Sequence, residues 1–559
     1  MLDILLKNIS SLEKVRTVSE MKALTEIKSA KVLAGESYSY QVCGIFTREP
    51  DPNNPYTPYK ADTYVFIESP LKDYIKAYCV KDAVADCVVP HDNDVIITEP
   101  GIIPDILVPL EMQNGRMAIS NTVTTLWLDV KVPSHILPGV YPVKVRMEHN
   151  LDRSEVVEST FDIEVVPAVL PKQSTIFTQW LYADCIATAH NVEVYSEEHW
   201  TLIEKYVRLA RELGINMILT PIITPPLDTE TGLKRVCVQL LKIEKCGDKY
   251  YFDFSLLDRW IDMCKRCGME YFEMAHLFSQ WGLQYTANIK VKENGVEDYM
   301  FDTRVKSTDP EYGNFLRQML PELVKFLKQK EVFDNCFFHI SDEPYDDHLE
   351  AYQFGRDTLA PYVGEERMMD AMSKVEYYDR GLTKLPVVAI NHINDFLKRD
   401  IENRWGYYCC SQWDKVSNNF LAMPSYRNRI IGLQIYKFNL VGFLNWGFNF
   451  YNGQVSRYLI NPYMTSSSDK AFPSGDAFRV YPMEKGPVPS LRAKIFNEAL
   501  QDVDVCKLLE KYIGRDAVIK MIDDEAGMDL TFFEYPRNAE FIPNLMNKMK
   551  EMIAEYSAK

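Results

Sequence analysis

Residues 337–344 read Phe-Phe-His-Ile-Ser-Asp-Glu-Pro, an apolar run that ends in two adjacent carboxylates and a proline. Phe, Ile and the preceding Cys336 suit a strand interior. Pro344 cannot donate to a sheet ladder, and it biases Glu343 towards an extended backbone. Asp342 and Glu343 are therefore expected at the carboxyl end of a buried strand. In parallel α/β folds, and above all in eight-stranded barrels, that edge carries the catalytic groups.

The flanking text repeats one alternation. Helical text over 323–330 leads into a strand over 335–341, and a helix over 256–267 leads into a strand over 269–276. Earlier still, Ser196 caps a helix with Glu197 and Glu198 in its first turn. Its apolar residues Trp200, Ile203, Val207, Ala210 and Leu213 fall at helical spacing, and after Gly214 a strand follows over 215–219. With a first strand over 178–184, this is a β–α–β pattern of parallel strands. Four more strands are expected over 368–372, 386–391, 406–410 and 442–450, and eight in all favour a closed (β/α)8 barrel of the TIM type. Residues 30–170 differ: short alternating runs between turn clusters, clearest over 122–132, 138–147 and 155–166, predict an antiparallel β-sandwich. Pro167 and Pro171 bracket a short linker. The expected division is a sandwich over 1–170 and a barrel over 171–559, with the C-terminal helices (491–512, 542–556) packed on the barrel exterior.

The 559-residue chain is too long for one hydrophobic core. Its net charge of −17, with no long basic run, argues against a nucleic-acid partner. The most apolar late stretch, 433–451, is broken by Gln434, Lys437, Asn439, Asn445 and Asn449, so no transmembrane span is expected. The N-terminal run Met1–Lys7 contains Asp3 and lacks a small-residue cleavage site. The twelve cysteines stand mostly alone in apolar text, as reduced thiols do, and a cytoplasmic location is the expectation. Cys264 and Cys267 form a single CxxC with no second pair, which reads as core and surface thiols rather than a metal site.

The ends of the expected strands bring together Asp342 and Glu343 as catalytic candidates. Trp180, Tyr182, His276, Trp281, Asp370, Asn391, His392, Trp413, Asn445 and Trp446 are candidates for binding substrate. Carboxylates among aromatic rings and amides suit sugar chemistry: an acid for the leaving oxygen, rings for C–H faces, neutral donors for hydroxyls. His276 and His392 could equally be structural, and Trp260, on a helix face, reads as core. Neither a phosphate loop nor a histidine ligand motif is present, and no metal or other cofactor is expected.

Adjacency is informative. In ordinary two-carboxylate glycosidases the pair straddles the scissile bond, which sequence neighbours cannot easily do. On one side of the bond, Glu343 can protonate the leaving oxygen while Asp342 holds a 2-acetamido nitrogen, so that the acetamido oxygen attacks the anomeric carbon. Like-charge proximity is expected to keep the acid of the pair protonated near neutral pH. The alternatives are a glycosidase of the same fold acting on a sugar without an acetamido group, and a carbohydrate-binding protein without turnover.

The text resembles glycoside hydrolase family 123 and the related domain-of-unknown-function 4091 proteins. The likeness is carried by 323–344, by Val441-Gly-Phe-Leu-Asn-Trp446, and by Gly475-Asp476 through Tyr481-Pro482 and Pro489-Ser-Leu-Arg492. It implies a β-sandwich followed by a (β/α)8 barrel and an exo-acting β-N-acetylgalactosaminidase with substrate-assisted catalysis. In that reading Asp342 orients the acetamido group and Glu343 is the acid/base. Ala477 stands where relatives often carry Gly, and the N-terminal text is unlike an export signal. The implied substrate is a short oligosaccharide or glycoside.

Overall fold

The computed structural model describes residues 3–48, 53, 60–89 and 91–557. Its contacts divide the chain into two compact units, one of residues 1–174, 413–437 and 488–559, the other of residues 175–412 and 438–487.

The first unit contains two five-stranded sheets. One orders Ile4–Ser10, Ser37–Phe46, Thr124–Lys131, Ile75–Ala85 and Gly101–Pro109, all antiparallel. The other orders Ser29–Ala34, Val156–Val169, Gly139–His149, Lys60–Glu68 and Arg116–Ser120, antiparallel except for its first pair. Strand alternation explains the packing. Leu126, Leu128 and Val130 share one core with Val143, Val145, Phe161 and Ile163 of the second sheet. Trp127, pointing the other way, packs with Tyr78, Leu107, Leu491 and Ile495.

That opposite face explains why the C-terminal helices depart from expectation. Residues 488–559, expected on the barrel, group with the sheets. Helix Leu491–Ile513 buries Leu491 and Ile495 against the Trp127 face. Its polar side is held by two ion pairs, Arg492–Asp105 at 2.9 Å and Lys494–Asp129 at 2.5 Å. Arg429, from the 413–437 segment, bridges Glu498 and Asp502 of the same helix, each at 2.8 Å. Buried carboxylates on a helix need such partners, and the sheet unit supplies them. Helix Arg515–Ala526 has no counterpart in the sequence reading.

The second unit holds eight parallel strands: β1 (Ile176–Gln179), β2 (Met217–Thr220), β3 (Tyr271–Met274), β4 (Cys336–Phe338), β5 (Met369–Met372), β6 (Leu385–Ala389), β7 (Trp405–Tyr407) and β8 (Gly442–Asn445). Their order is β4-β3-β2-β1-β8-β7-β6-β5, and a parallel bridge from Phe338 to Met368 joins the two ends, giving a nearly closed barrel. Each expected strand position is occupied, with shorter bounds. β1 stops before Trp180, so Asp184 begins helix Ala183–His190 instead of ending a strand. Helix Glu197–Glu212 starts where Ser196 accepts a hydrogen bond from the His199 amide. Insertions after β2 and β3 build a separate four-stranded sheet, ordered Lys249–Asp253, Lys242–Cys246, Ile289–Glu293 and Val296–Phe301. Their mixed charged and aromatic residues give no barrel-like signal. Cys264 and Cys267 are buried free thiols. Among the described residues no helix is long and apolar enough to cross a membrane.

Candidate active site

At the carboxyl ends of the barrel strands lies a cavity. Its wall carries Trp180 after β1, Asp228 from the loop after β2, Gln280 and Trp281 after β3, and Asp342 and Glu343 after β4. Tyr407, Cys409 and Cys410 come from β7 and the turn beyond it, and Trp446 and Phe472 from the segment after β8. Strand direction alone collects these residues, because every parallel strand delivers its last residue to the same rim.

The two acids are held differently. Asp342 is buried, and its Oδ2 accepts from Gln280 Nε2 at 2.7 Å. The Gln280 amide is fixed in turn, since its Oε1 accepts the Asp228 backbone N–H at 2.6 Å. Burial, then the neighbouring Glu343 charge, pushes the Asp342 carboxyl up to about 7. Glu343 is half-buried, and its Oε1 accepts from the Tyr407 hydroxyl at 2.6 Å. The like-charge effect of the adjacent pair is thus seen at Asp342. Glu343 also departs from its expected extended backbone, with φ +43° in the left-handed region. Such a φ costs a non-glycine residue about 1–3 kcal/mol. The turn is kept by flanking bonds: Glu343 N–H to Ala371 O at 3.1 Å and Trp281 N–H to Asp342 O at 3.2 Å. These long-range bonds outweigh the local preference set by Pro344.

Beneath the cavity lies a fully buried charge cluster. The His339 ring is bonded at Nε2 to Glu273 and at Nδ1 to Asp370 Oδ1, the latter at 3.2 Å. Glu273 also accepts from Trp180 Nε1 at 2.7 Å and Thr178 Oγ1 at 2.5 Å. Asp370 accepts from Tyr352 Oη at 2.8 Å and from the Ile340 and Ser341 amides at 3.1 Å. Burial on its own would strip the His339 proton, but hydrogen bonds and charge from Asp370 and Glu273 hold its pKa up at about 10. His339 is therefore an imidazolium, and the cluster positions the segment that delivers Asp342. Its stabilisation is full below about pH 6.5 and is lost as pH rises through about 10. Glu273→Gln removes one of the two carboxylates and is expected to cost about 3–5 kcal/mol. A denaturant midpoint equal to that of the unsubstituted chain would show that the ring is uncharged.

Comparison with known proteins bears on what this geometry is for. The sequence profile described as "Glycoside hydrolase 123, catalytic domain" matches residues 180–509. The chain belongs to glycoside hydrolase family 123. This family 123 chain is a glycosidase. It resembles the solved structure of a family 123 glycoside hydrolase from Clostridium perfringens, studied for glycolipid glycan hydrolysis, with TM-score 0.72, 16% identity, and 99% of each chain covered. A β-glucuronidase of Bacteroides uniformis aligns at TM-score 0.29 and 11% identity over 80% of this chain and 47% of that one. A family 39 glycoside hydrolase from Bacteroides cellulosilyticus WH2 aligns at 0.34 and 8% over 85% and 81%. No curated protein matches the sequence.

In the family 123 fold, the residues expected from the sequence separate into three groups. Asp342, Glu343, Trp180, Trp281 and Trp446 line the cavity. Trp281 is 43% exposed, and the Trp446 indole donates to Asp476 Oδ2 at 2.9 Å while meeting Phe472 edge-on. Tyr182, His276, Asp370 and Asn445 are buried away from the wall. Asn445 joins Gln179, Gly447 and Tyr408, and the Tyr182 ring lies 5.0 Å from the Arg235 guanidinium. Asn391, which accepts from Gln412 Nε2, exposed His392, and half-buried Trp413 also lie off the wall. These seven were expected from their place near strand ends, but side chains alternate along a strand and only some face the opening.

Asp228, Gln280, Tyr407, Cys409, Cys410 and Phe472 are cavity residues that the sequence reading missed. Asp228 is held by Val455 N–H to Oδ2 at 3.1 Å, and burial lifts its carboxyl to about 6. Its loop is tied down because Arg235 Nη1 donates to Leu227 O at 3.2 Å while Nε and Nη2 of the same guanidinium grip the two Asp184 oxygens. No motif announces Asp228. Glu273 and His339 did carry a signal, each a charged residue inside an apolar strand.

Among the described residues, His276, His339 and Asp370 bring potential metal-ligand atoms within 4.8 Å of one another. His339 is unsuited to a metal: both its nitrogens are engaged, and an imidazolium has no lone pair to give. His276 stacks on that ring at 4.0 Å and 17°, and burial followed by the His339 charge drives its pKa well below the usual range. Neutral His276 therefore covers a charged ring.

Proposed function

We propose that this family 123 enzyme is an exo-acting β-N-acetylgalactosaminidase, built as a β-sandwich and a (β/α)8 barrel, that retains configuration by substrate-assisted catalysis. The observation that carries the reading is the placement of adjacent Asp342 and Glu343 on one cavity wall, each with its own hydrogen-bond donor. Glu343 protonates the glycosidic oxygen as the acetamido oxygen attacks the anomeric carbon. In the reactive form the single proton of the pair sits on Glu343, and Asp342, ionised, accepts the acetamido N–H and stabilises the positive charge of the forming oxazoline. Glu343 then takes a proton from the water that opens the oxazoline. Trp281, Trp446 and Phe472 supply rings for the sugar faces. Short oligosaccharides or glycosides in the cytoplasm are the substrates of this reading, and no metal takes part.

The test compares an aryl β-N-acetylgalactosaminide with the corresponding aryl β-galactoside. The acetamido substrate is expected to be hydrolysed and the plain galactoside left nearly untouched. Equal rates would sink the mechanism. They would favour a second reading, supported by Asp228 on the same cavity, in which that carboxylate works with Glu343 on a sugar lacking the acetamido group.

A pH profile tests the protonation state. The reactive form of the Asp342–Glu343 pair holds one proton, and burial together with the Glu343 charge pushes the Asp342 carboxyl up to about 7. kcat/KM is expected to fall as pH rises through about 7. A profile flat to pH 9 would contradict the assignment.

A further inference from the structure

One part of the cavity wall has no place in the proposed chemistry. Beside Glu343, after β7, the wall is made by two neighbouring cysteines, Cys409 and Cys410. The Cys409 Sγ lies 3.9 Å from Glu343 Oε1, and the two thiols are in hydrogen-bonding contact with one another. Their turn is braced: Cys409 N–H donates to Gln412 Oε1 at 2.7 Å, and Gln412 Nε2 donates to Asn391 Oδ1 at 2.9 Å. Both thiols are half-buried and reach the cavity wall, whereas the CxxC pair, Cys264 and Cys267, is buried.

Neighbouring cysteines are poorly placed for a direct disulfide. Successive Cα atoms are about 3.8 Å apart, below the roughly 4.4–6.8 Å of unstrained disulfides. A bridge through one additional, larger atom relieves that strain. The contact with Cys410, then burial, also holds the Cys409 thiol in its protonated form, so ordinary thiolate reagents are slow here. Selectivity then comes from two sulfurs gripping one soft centre.

We propose that Cys409 and Cys410 form a dithiol site for a trivalent arsenical, and that its occupation blocks Glu343. The step is R–As=O + 2 Cys–SH → R–As(S–Cys)2 + H2O. Two As–S bonds form, the As=O bond breaks, both thiol protons leave in the water, and arsenic stays trivalent, so neither oxidant nor reductant is needed. The arsenic and its organic group then stand against Glu343 Oε1, where the leaving-group oxygen must approach.

The experiment treats the full-length protein with phenylarsine oxide. It reads intact mass, the peptide carrying 409–410, and hydrolysis of an aryl β-N-acetylgalactosaminide. One arsenical per chain at 409–410 is expected, with roughly a hundredfold loss of turnover, the scale of losing an acid/base group. Dithiothreitol should restore turnover and excess 2-mercaptoethanol should not. Cys409→Ser and Cys410→Ser should each lose the stable adduct and keep, after treatment, whatever turnover each shows before it. Cys267→Ser should still take the adduct. No adduct on the unsubstituted protein, or an adduct that survives in both serine variants, would overturn the site. The mass readout is independent of the glycosidase reading on which the blockage rests, and an adduct at 409–410 without loss of turnover would overturn the blockage.

Discussion

Glu343→Gln is expected to lower kcat by about 10²–10⁴-fold on substrates with poor leaving groups, the range for removing a general acid/base. On an activated aryl glycoside, whose departure needs no proton, the first step should lose far less. The isosteric amide keeps an oxygen for the Tyr407 hydroxyl, so the loss reads the missing proton and not a collapsed wall. The contrast between leaving groups is the decisive measurement. Equal losses on both would remove Glu343 from the acid role and turn attention to Asp228.

Asp342→Asn should separate activity from stability. The amide cannot supply the full negative charge that the oxazoline-forming step requires, and turnover is expected to fall about 10²–10³-fold, as when one transition-state-stabilising group is lost. Binding of a thiazoline analogue should weaken in parallel. Stability should move the other way. Asp342 titrates near 7 when folded and near 3.9 when unfolded, so its contribution is intact below about pH 4 and lost as pH rises to about 7. That difference corresponds to a penalty of up to about 4 kcal/mol above pH 7. Asparagine, uncharged at every pH and still able to accept from Gln280, escapes the penalty. The variant should therefore unfold at higher temperature at pH 8 and match the unsubstituted chain at pH 4. A variant with no gain at pH 8 would place the raised acid elsewhere, and a variant that binds the thiazoline unchanged would remove Asp342 from its helper role.

Both predictions concern two cavity-lining acids that were readable from a single phrase. The apolar run before Asp342 and the proline after Glu343 are local signals, and they place the acids beyond a strand whatever the rest of the chain does. Trp281 and Trp446 were also accessible, as aromatics next to strand ends. Gln280, Tyr407 and Asp228 were not. A glutamine beside a tryptophan, a tyrosine inside a strand and an aspartate in a long loop are unremarkable text, and they acquire meaning only when the rim gathers them. Tyr182, His276, Asp370 and Asn445 show the converse. Each lies at or near a strand end, yet each turns away from the opening and spends its polar groups or ring on the interior.

What the sequence by itself determined is what depends on period and punctuation: eight strands in order, an antiparallel sheet region before them, helix starts such as Ser196, and two carboxylates past the fourth strand. What the tertiary structure decided is every question of partner. It paired Glu273 with His339 across 66 positions and, by burying Asp342 beside Glu343, lifted the Asp342 carboxyl to about 7. It turned Glu343 into a left-handed conformation and drew the C-terminal helices to the sheets. The physical reason is range. Strand and helix preferences act within a few residues, whereas desolvation, ion pairing and face-to-face burial depend on groups that only folding brings together.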